Sequence, residues 1–315
     1  MGMHLTDAPV DPGVSAASQE GRDERLILVL KRGLPALVRA MRPTQWVKNL
    51  LVFIAPVGAG LAAASAPLTN GLLVLVMFCA ASSAVYLVND TVDAPEDRQH
   101  PRKKYRPIAS GALGARAALV AAGLLALVAI MIGGLLPDPV LLIVIGYVCL
   151  QVAYALGLKR VAVVEMAAVA SGFVLRVIAG AAAVALTPSI WLLTVTASGA
   201  LAIVSGKRLS ESLAKHAGTT RQVLEEYSPD FLRAVLTIAS TALVMSYTLW
   251  AFAAVVQVRP VLVQLSVVPL LVALMRYLMD AFNARTERPE GLISDRWLVG
   301  LGMIWLALVL FGTNF

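Results

Sequence analysis

Runs of about 20 apolar residues recur along this chain, separated by short segments that hold nearly all of its charge. A run of that length, wound as a helix, crosses the hydrocarbon core of a bilayer. The runs lie near 50–67, 71–90, 115–136, 139–158, 161–186, 189–206, 232–256, 261–282 and 297–314. They predict an all-α integral membrane protein of nine transmembrane helices, bundled over 35–315. Composition agrees: 59% of residues are hydrophobic, only 14% are charged, and a water-exposed surface needs more charge than that. Pro56, Gly58 and Gly60 interrupt the first run, so it reads as two pieces or as a tilted span.

The first ~25 residues are polar and rich in Gly, Pro, Ser and Asp, without the apolar stretch of a signal peptide, and residues 1–34 read as a disordered cytoplasmic tail. The net charge of +7 would raise the question of nucleic acid in a soluble protein. Here the basic residues cluster between apolar runs, which makes the bilayer the partner and excludes nucleic acid. With the N-terminus inside, 23 of the 26 Lys and Arg residues fall on the cytoplasmic side. Arg176 and Arg276 lie within spans, and Arg259 falls on the far side. The expected location is therefore a membrane crossed many times, with the N-terminus on its cytoplasmic side. Cys79 and Cys149 lie in apolar runs and read as buried apolar residues.

The loop after the second run reads VNDTVDAPEDRQHPRKKYRPIASG. Asn89, Asp90, Asp93 and Asp97 form N-D-x-x-D-x-x-x-D. On a continuous helix the four side chains fall within roughly a 100° arc. Pro95 must disturb that helix, which places Asp97 on a kinked or terminal turn. Three carboxylates on one face repel one another unless a cation lies between them. Mg²⁺ suits the set, because it takes few carboxylates and keeps positions for water and phosphate oxygens. Arg98, Arg102, Lys103, Lys104 and Arg106 follow at once. Acids and then bases at one helix end suit a Mg²⁺-bound diphosphate, the bases holding oxygens that the metal leaves free.

Other polar groups lie near the same end. Lys48 and Asn49 close the segment RPTQWVKN before the first run. Tyr154, Lys159 and Glu165 flank the tight turn between the fourth and fifth runs, and Arg176 lies about three turns beyond Glu165. Lys207, Arg208 and Glu211 open a mixed-charge stretch that could cap the site as an interfacial helix. Ionisable groups inside spans are costly and usually face the interior of a bundle. No P-loop, dinucleotide-binding glycine turn or HExxH segment is present.

The acid motif, together with RPTQWVKN, SAVYLVND, DRQHP, KKYRPIASG, YALGLK, VVEM, LRVIAG and GKRLSE, resembles the UbiA superfamily of intramembrane prenyltransferases. The set is most similar to its decaprenyl-phosphate phosphoribosyltransferase branch, over about residues 35–315. The resemblance implies a UbiA-like bundle with a cytoplasmic active site. It implies a Mg²⁺-dependent transfer of 5-phosphoribosyl from phosphoribosyl diphosphate (PRPP) to a polyprenyl (decaprenyl) phosphate, for cell-wall arabinan precursors. Asn89, Asp90, Asp93 and Asp97 are then the metal ligands, and Asp93, Asp97 and Glu165 the catalytic residues. Lys48, Asn89, Arg98, Lys104, Arg106, Tyr154, Lys159, Arg176, Lys207 and Arg208 are the substrate-binding set.

Two alternatives stay open at this level. An aromatic prenyltransferase would use a polyprenyl diphosphate and a second Asp-rich motif, in whose place the sequence around the fifth run offers Glu165 alone. A transporter would show internal repeats and helices broken near the midplane. Small residues in the runs allow close helix contact within or between subunits, so a homo-oligomer is compatible.

Overall fold

The computed structural model describes residues 35–61, 65–213, 222–253, 258–286 and 295–314. The expected tail over 1–34, and the middle of the expected interfacial helix, lie outside the described residues. All regular structure among the described residues is helical. A short helix α1 covers 35–40. A 3-10 helix, Pro43–Phe53, runs into α2, Ile54–Gly58. Then come α3, Ser65–Val92; α4, Ala94–Gln99; α5, Ala115–Gly134; and α6, Val140–Leu156. The second half holds α7, Val164–Ala182; α8, Ile190–Leu213; and α9, Pro229–Ala253. It ends with α10, Pro260–Leu265; α11, Val267–Phe282; and α12, Arg296–Thr313.

Seven stretches among the described residues are long and apolar enough to cross a membrane: α3 from Pro67, α5, α7, α8, α9, α10 with α11, and α12. The apolar α6 is shorter. The expected first span over 50–67 is not one helix. Pro56 has no N–H to give the Val52 carbonyl, so an α-helix cannot run through this point unbroken. The chain stays in 3-10 form up to Phe53 and ends its helix at Gly58. The expected 261–282 helix is likewise two pieces, because the Pro269 ring conflicts with the Leu265 carbonyl, where α10 stops. The expected 189–206 helix instead continues to Leu213, carrying GKRLSE as helix.

Two apolar clusters organise the bundle. Val74, Met77 and Phe78 of α3 pack with Val140, Val144 and Tyr147 of α6 and with Ala179 of α7. Met166 of α7, Leu209 of α8, Leu232 and Leu236 of α9 and Tyr277 of α11 form the other. α7 belongs to both and joins the halves. On the outside, α5 exposes Val120, Leu124, Leu127 and Met131. Exposed apolar side chains in such a row suit contact with lipid.

The carbonyl that Pro56 leaves without a helix partner lies against α7. A Cβ added to Gly180 would sit 1.9 Å from Val52 O and 2.6 Å from Val52 C. Glycine there lets the two backbones meet. Gly180→Ala is expected to destabilise the bundle by about 1–3 kcal/mol or more, since backbone rather than a flexible side chain must move. Thermal melting in detergent reads the effect, and a wild-type melt would show that the 3-10 segment is free to shift.

Candidate active site

The acidic motif spans the end of one helix and the start of the next. α3 ends at Val92, Asp93 is the N-cap of α4, and Pro95 lies in the first turn of α4, a position where its missing N–H is harmless. The helix boundary therefore falls at Asp93, yet the turn carries on through it: Asp93 N–H donates to the Asn89 carbonyl at 2.9 Å and Asp97 N–H to the Asp93 carbonyl at 2.8 Å.

Asn89 and Asp93 stay together: Asn89 Nδ2 donates to Asp93 Oδ2 at 2.9 Å. Lys159, from the turn after α6, pairs with Asp93 Oδ1 and lies 3.5 Å from Asn89 Oδ1. Asp90 and Asp97 form the other half. Arg106 Nη1 reaches Asp97 Oδ2 at 2.6 Å and Asp90 Oδ1 at 3.2 Å. Both of these carboxylates are buried. Burial pushes the Asp97 carboxyl above its ordinary pKa, and the Arg106 guanidinium pulls it back. The four side chains thus fall into two neighbouring pairs, each closed by a base. Arg42, which the sequence reading did not mark as a site residue, also contacts Asp90, at 2.5 Å.

Among the described residues no three His, Cys, Asp or Glu side chains form a ready-made metal cage. The donor set still fits Mg²⁺. All four groups offer hard oxygen, Mg²⁺ needs only one or two carboxylates beside phosphate and water, and Asp90 and Asp97 already converge on one cationic nitrogen.

The remaining expected residues divide by location. Arg98 is exposed, and its Nε donates to the Ala109 carbonyl at 3.3 Å, tying α4 to the following loop. Lys104 is exposed and lies 5.2 Å from the Tyr105 ring centre. Lys48 is half-buried on the 3-10 helix. Tyr154, on the last turn of α6, interacts electrostatically with Arg208.

Glu165, which the resemblance implies to be catalytic, is 0% exposed. Arg208 Nε and Nη2 bind its two oxygens at 2.7 and 2.6 Å. Arg208 Nη1 also binds Glu211 at 2.8 Å, and Lys207 Nζ lies 3.8 Å from Glu211. This cluster clamps the start of α7 to the end of α8. Arg176 is not brought to the acids. Its Nε binds Asn49 Oδ1 at 2.8 Å, Nη1 the Gly172 carbonyl at 2.7 Å, and Nη2 the Tyr147 hydroxyl at 2.8 Å. The rings of Phe78, Tyr147 and Phe173 surround the guanidinium. Asn49 is thereby explained as the anchor of the 3-10 helix.

A cavity of about 250 Å³ lies between α3, α5 and α6, lined by Ala84, Val85, Val88, Ala122 and Val152 among others. Its walls are apolar, and Val88 immediately precedes Asn89.

The acid motif at the end of α3 is part of the sequence resemblance already noted, and the UbiA prenyltransferase family profile matches residues 51–290. The chain belongs to the UbiA prenyltransferase family and is an integral membrane protein. It is 39% identical over 279 residues to decaprenyl-phosphate phosphoribosyltransferase of Corynebacterium glutamicum, covering 86% of this chain and 84% of that protein. The protein of the same name from Mycobacterium tuberculosis is 38% identical over 280 residues, covering 87% and 92%. The fold is shared with a UbiA homolog from Archaeoglobus fulgidus bound to DMAPP and Mg²⁺, at TM-score 0.68 and 18% identity, covering 88% of this chain and 97% of that one. A UbiA homolog from Aeropyrum pernix aligns at TM-score 0.67 and 15% identity, covering 85% and 98%.

Proposed function

We propose that this enzyme transfers 5-phosphoribosyl from PRPP to a polyprenyl phosphate, decaprenyl phosphate in the first instance, and releases diphosphate. The likeness to decaprenyl-phosphate phosphoribosyltransferases over 84% or more of their length carries this reading. The acid–base array at the end of α3 supplies what the reaction requires. We place that end on the cytoplasmic side of the plasma membrane, where the basic loops gather. With α6 and the broken 43–58 segment counted as crossings, the chain spans the membrane nine times, and residues 35–315 form one catalytic domain behind the tail.

The chemistry asks little of a general base. A phosphate monoester has a second pKa of about 6, so the acceptor oxygen is already anionic near neutral pH. The demanding step is departure of diphosphate from ribose C1, where positive charge builds. Mg²⁺, held by Asp90, Asp93 and Asp97 with Asn89, would neutralise the leaving group. Lys159 and Arg106, already at the acids, and Arg98 and Lys104 nearby hold phosphate oxygens. Attack opposite the leaving group inverts C1. The apolar cavity beside Val88 offers a wall for the lipid chain close to the reacting end.

Purified protein, PRPP labelled in the ribose and decaprenyl phosphate test the reading together. Label is expected in an organic-extractable lipid with stoichiometric diphosphate, to vanish with EDTA and to return with Mg²⁺. Absence of lipid label, with turnover of a prenyl diphosphate and 4-hydroxybenzoate instead, selects the aromatic prenyltransferase.

A further inference from the structure

The segment RPTQWVKN begins with a basic residue that reaches further into the acid array than its place in sequence suggests. Arg42 Nη2 lies 2.5 Å from Asp90 Oδ1, and its guanidinium lies over the Tyr86 ring, 4.9 Å from the centre. Arg106 Nη1 approaches the same oxygen at 3.2 Å. Two guanidiniums therefore share one oxygen of a buried carboxylate. Even with Asp97 counted, the cations here are matched only while both acids remain bound to them.

The backbone at Arg42 has φ 55° and ψ 62°, a left-handed conformation costly for a side chain of this kind. Such conformations persist where the surroundings over-determine them, and they cluster at binding sites. The surroundings here are explicit. Trp46 Nε1 donates to Ser83 Oγ at 3.1 Å, and Ser83 Oγ donates to the Met41 carbonyl at 3.2 Å. Asn49 is held by Arg176 at 2.8 Å. Contacts on both sides of Arg42 thus fix the strained turn, which aims the guanidinium at Asp90.

We propose that Arg42 is a further diphosphate-binding residue, which rests on Asp90 in the ligand-free protein and grips diphosphate oxygens when Asp90 is engaged by a divalent cation. The proposal depends on the reading of this site as a metal–diphosphate site. With its carboxylate engaged elsewhere, Asp90 no longer neutralises Arg42 or Arg106, and both guanidiniums face the incoming anion. Metal and diphosphate then bind synergistically. A cation alone must compete with the guanidiniums for Asp90, whereas the diphosphate accompanying it gives them new partners.

The test uses the full-length protein in detergent. Mn²⁺ alone is followed by electron paramagnetic resonance, and inorganic diphosphate with Mg²⁺ by calorimetry. Arg42→Gln is expected to bind Mn²⁺ alone about threefold tighter and Mg²⁺-diphosphate about tenfold weaker. Arg42→Lys keeps the charge without the planar fork, so it is expected to lose less diphosphate affinity and to serve if the Gln variant fails to fold. Arg233→Gln, an exposed residue paired with Asp230, is expected to match wild type in both assays. A purely structural role would weaken both ligands together, and that result overturns the proposal. Unchanged Mg²⁺-diphosphate affinity in Arg42→Gln also overturns it, while leaving the reaction intact. Failure of the wild-type protein to bind Mg²⁺-diphosphate overturns the site reading as well.

Discussion

Asp97→Ala, and separately Asp93→Ala, is expected to lower turnover by a factor on the order of 10³ while the protein still folds. The fold is expected to survive because each base keeps a partner. Without Asp97, Arg106 retains Asp90 at 3.2 Å. Without Asp93, Lys159 retains the Asn89 side-chain oxygen at 3.5 Å. No buried cation is stranded, so the large penalty of an unpaired buried charge does not arise. The acids are needed for the role proposed above: they would hold the Mg²⁺ that neutralises the departing diphosphate. The measurement is kcat with saturating PRPP and Mg²⁺, alongside a melting curve. Wild-type turnover in either variant would remove that residue from the metal set. Lost turnover together with a collapsed melt would make the acids structural partners of Arg106 and Lys159 instead.

The site was legible where it is local. Asp90, Asp93 and Asp97 stand within eight residues of one another and beside their bases, so spacing alone located the array and Pro95 marked the break in its helix. The spans were legible because an apolar run of about 20 residues has few other uses. The first span was misread because Pro56 acts together with a distant glycine, and the Val52–Gly180 approach has no trace in the local pattern. The bases that close the acid pairs were hidden for a similar reason. Lys159 takes Asp93 from 66 residues away and Arg42 takes Asp90 from 48 away. Arg42 carried one available signal, an Arg-Pro step ahead of a polar segment. It was read as one more charge obeying the inside bias, because a left-handed residue cannot be recognised from an arginine.

Glu165 gives the other large effect, expected on stability. A role in steadying charge at C1 requires a carboxylate open to substrate. Both oxygens of Glu165 are instead bound by Arg208, in a fork of 2.7 and 2.6 Å. Arg208 is itself only 3% exposed. Removing one partner of a buried ion pair leaves the other uncompensated and costs about 3–5 kcal/mol. Glu211 is the remaining partner of Arg208 and is less deeply buried, so it offsets only part of that cost. Glu165→Ala is therefore expected to lower the melting temperature by roughly 10 °C, loosening the joint between α7 and α8 and with it the position of Lys159. The double variant Glu165→Met, Arg208→Met is expected to recover most of that loss, because apolar side chains of similar volume replace buried ion pairs with little or no penalty. A Glu165→Ala protein that melts like wild type but turns over far more slowly would return Glu165 to the reacting carbon. Recovery of stability in the double variant would fix its role as the pin between α7 and α8.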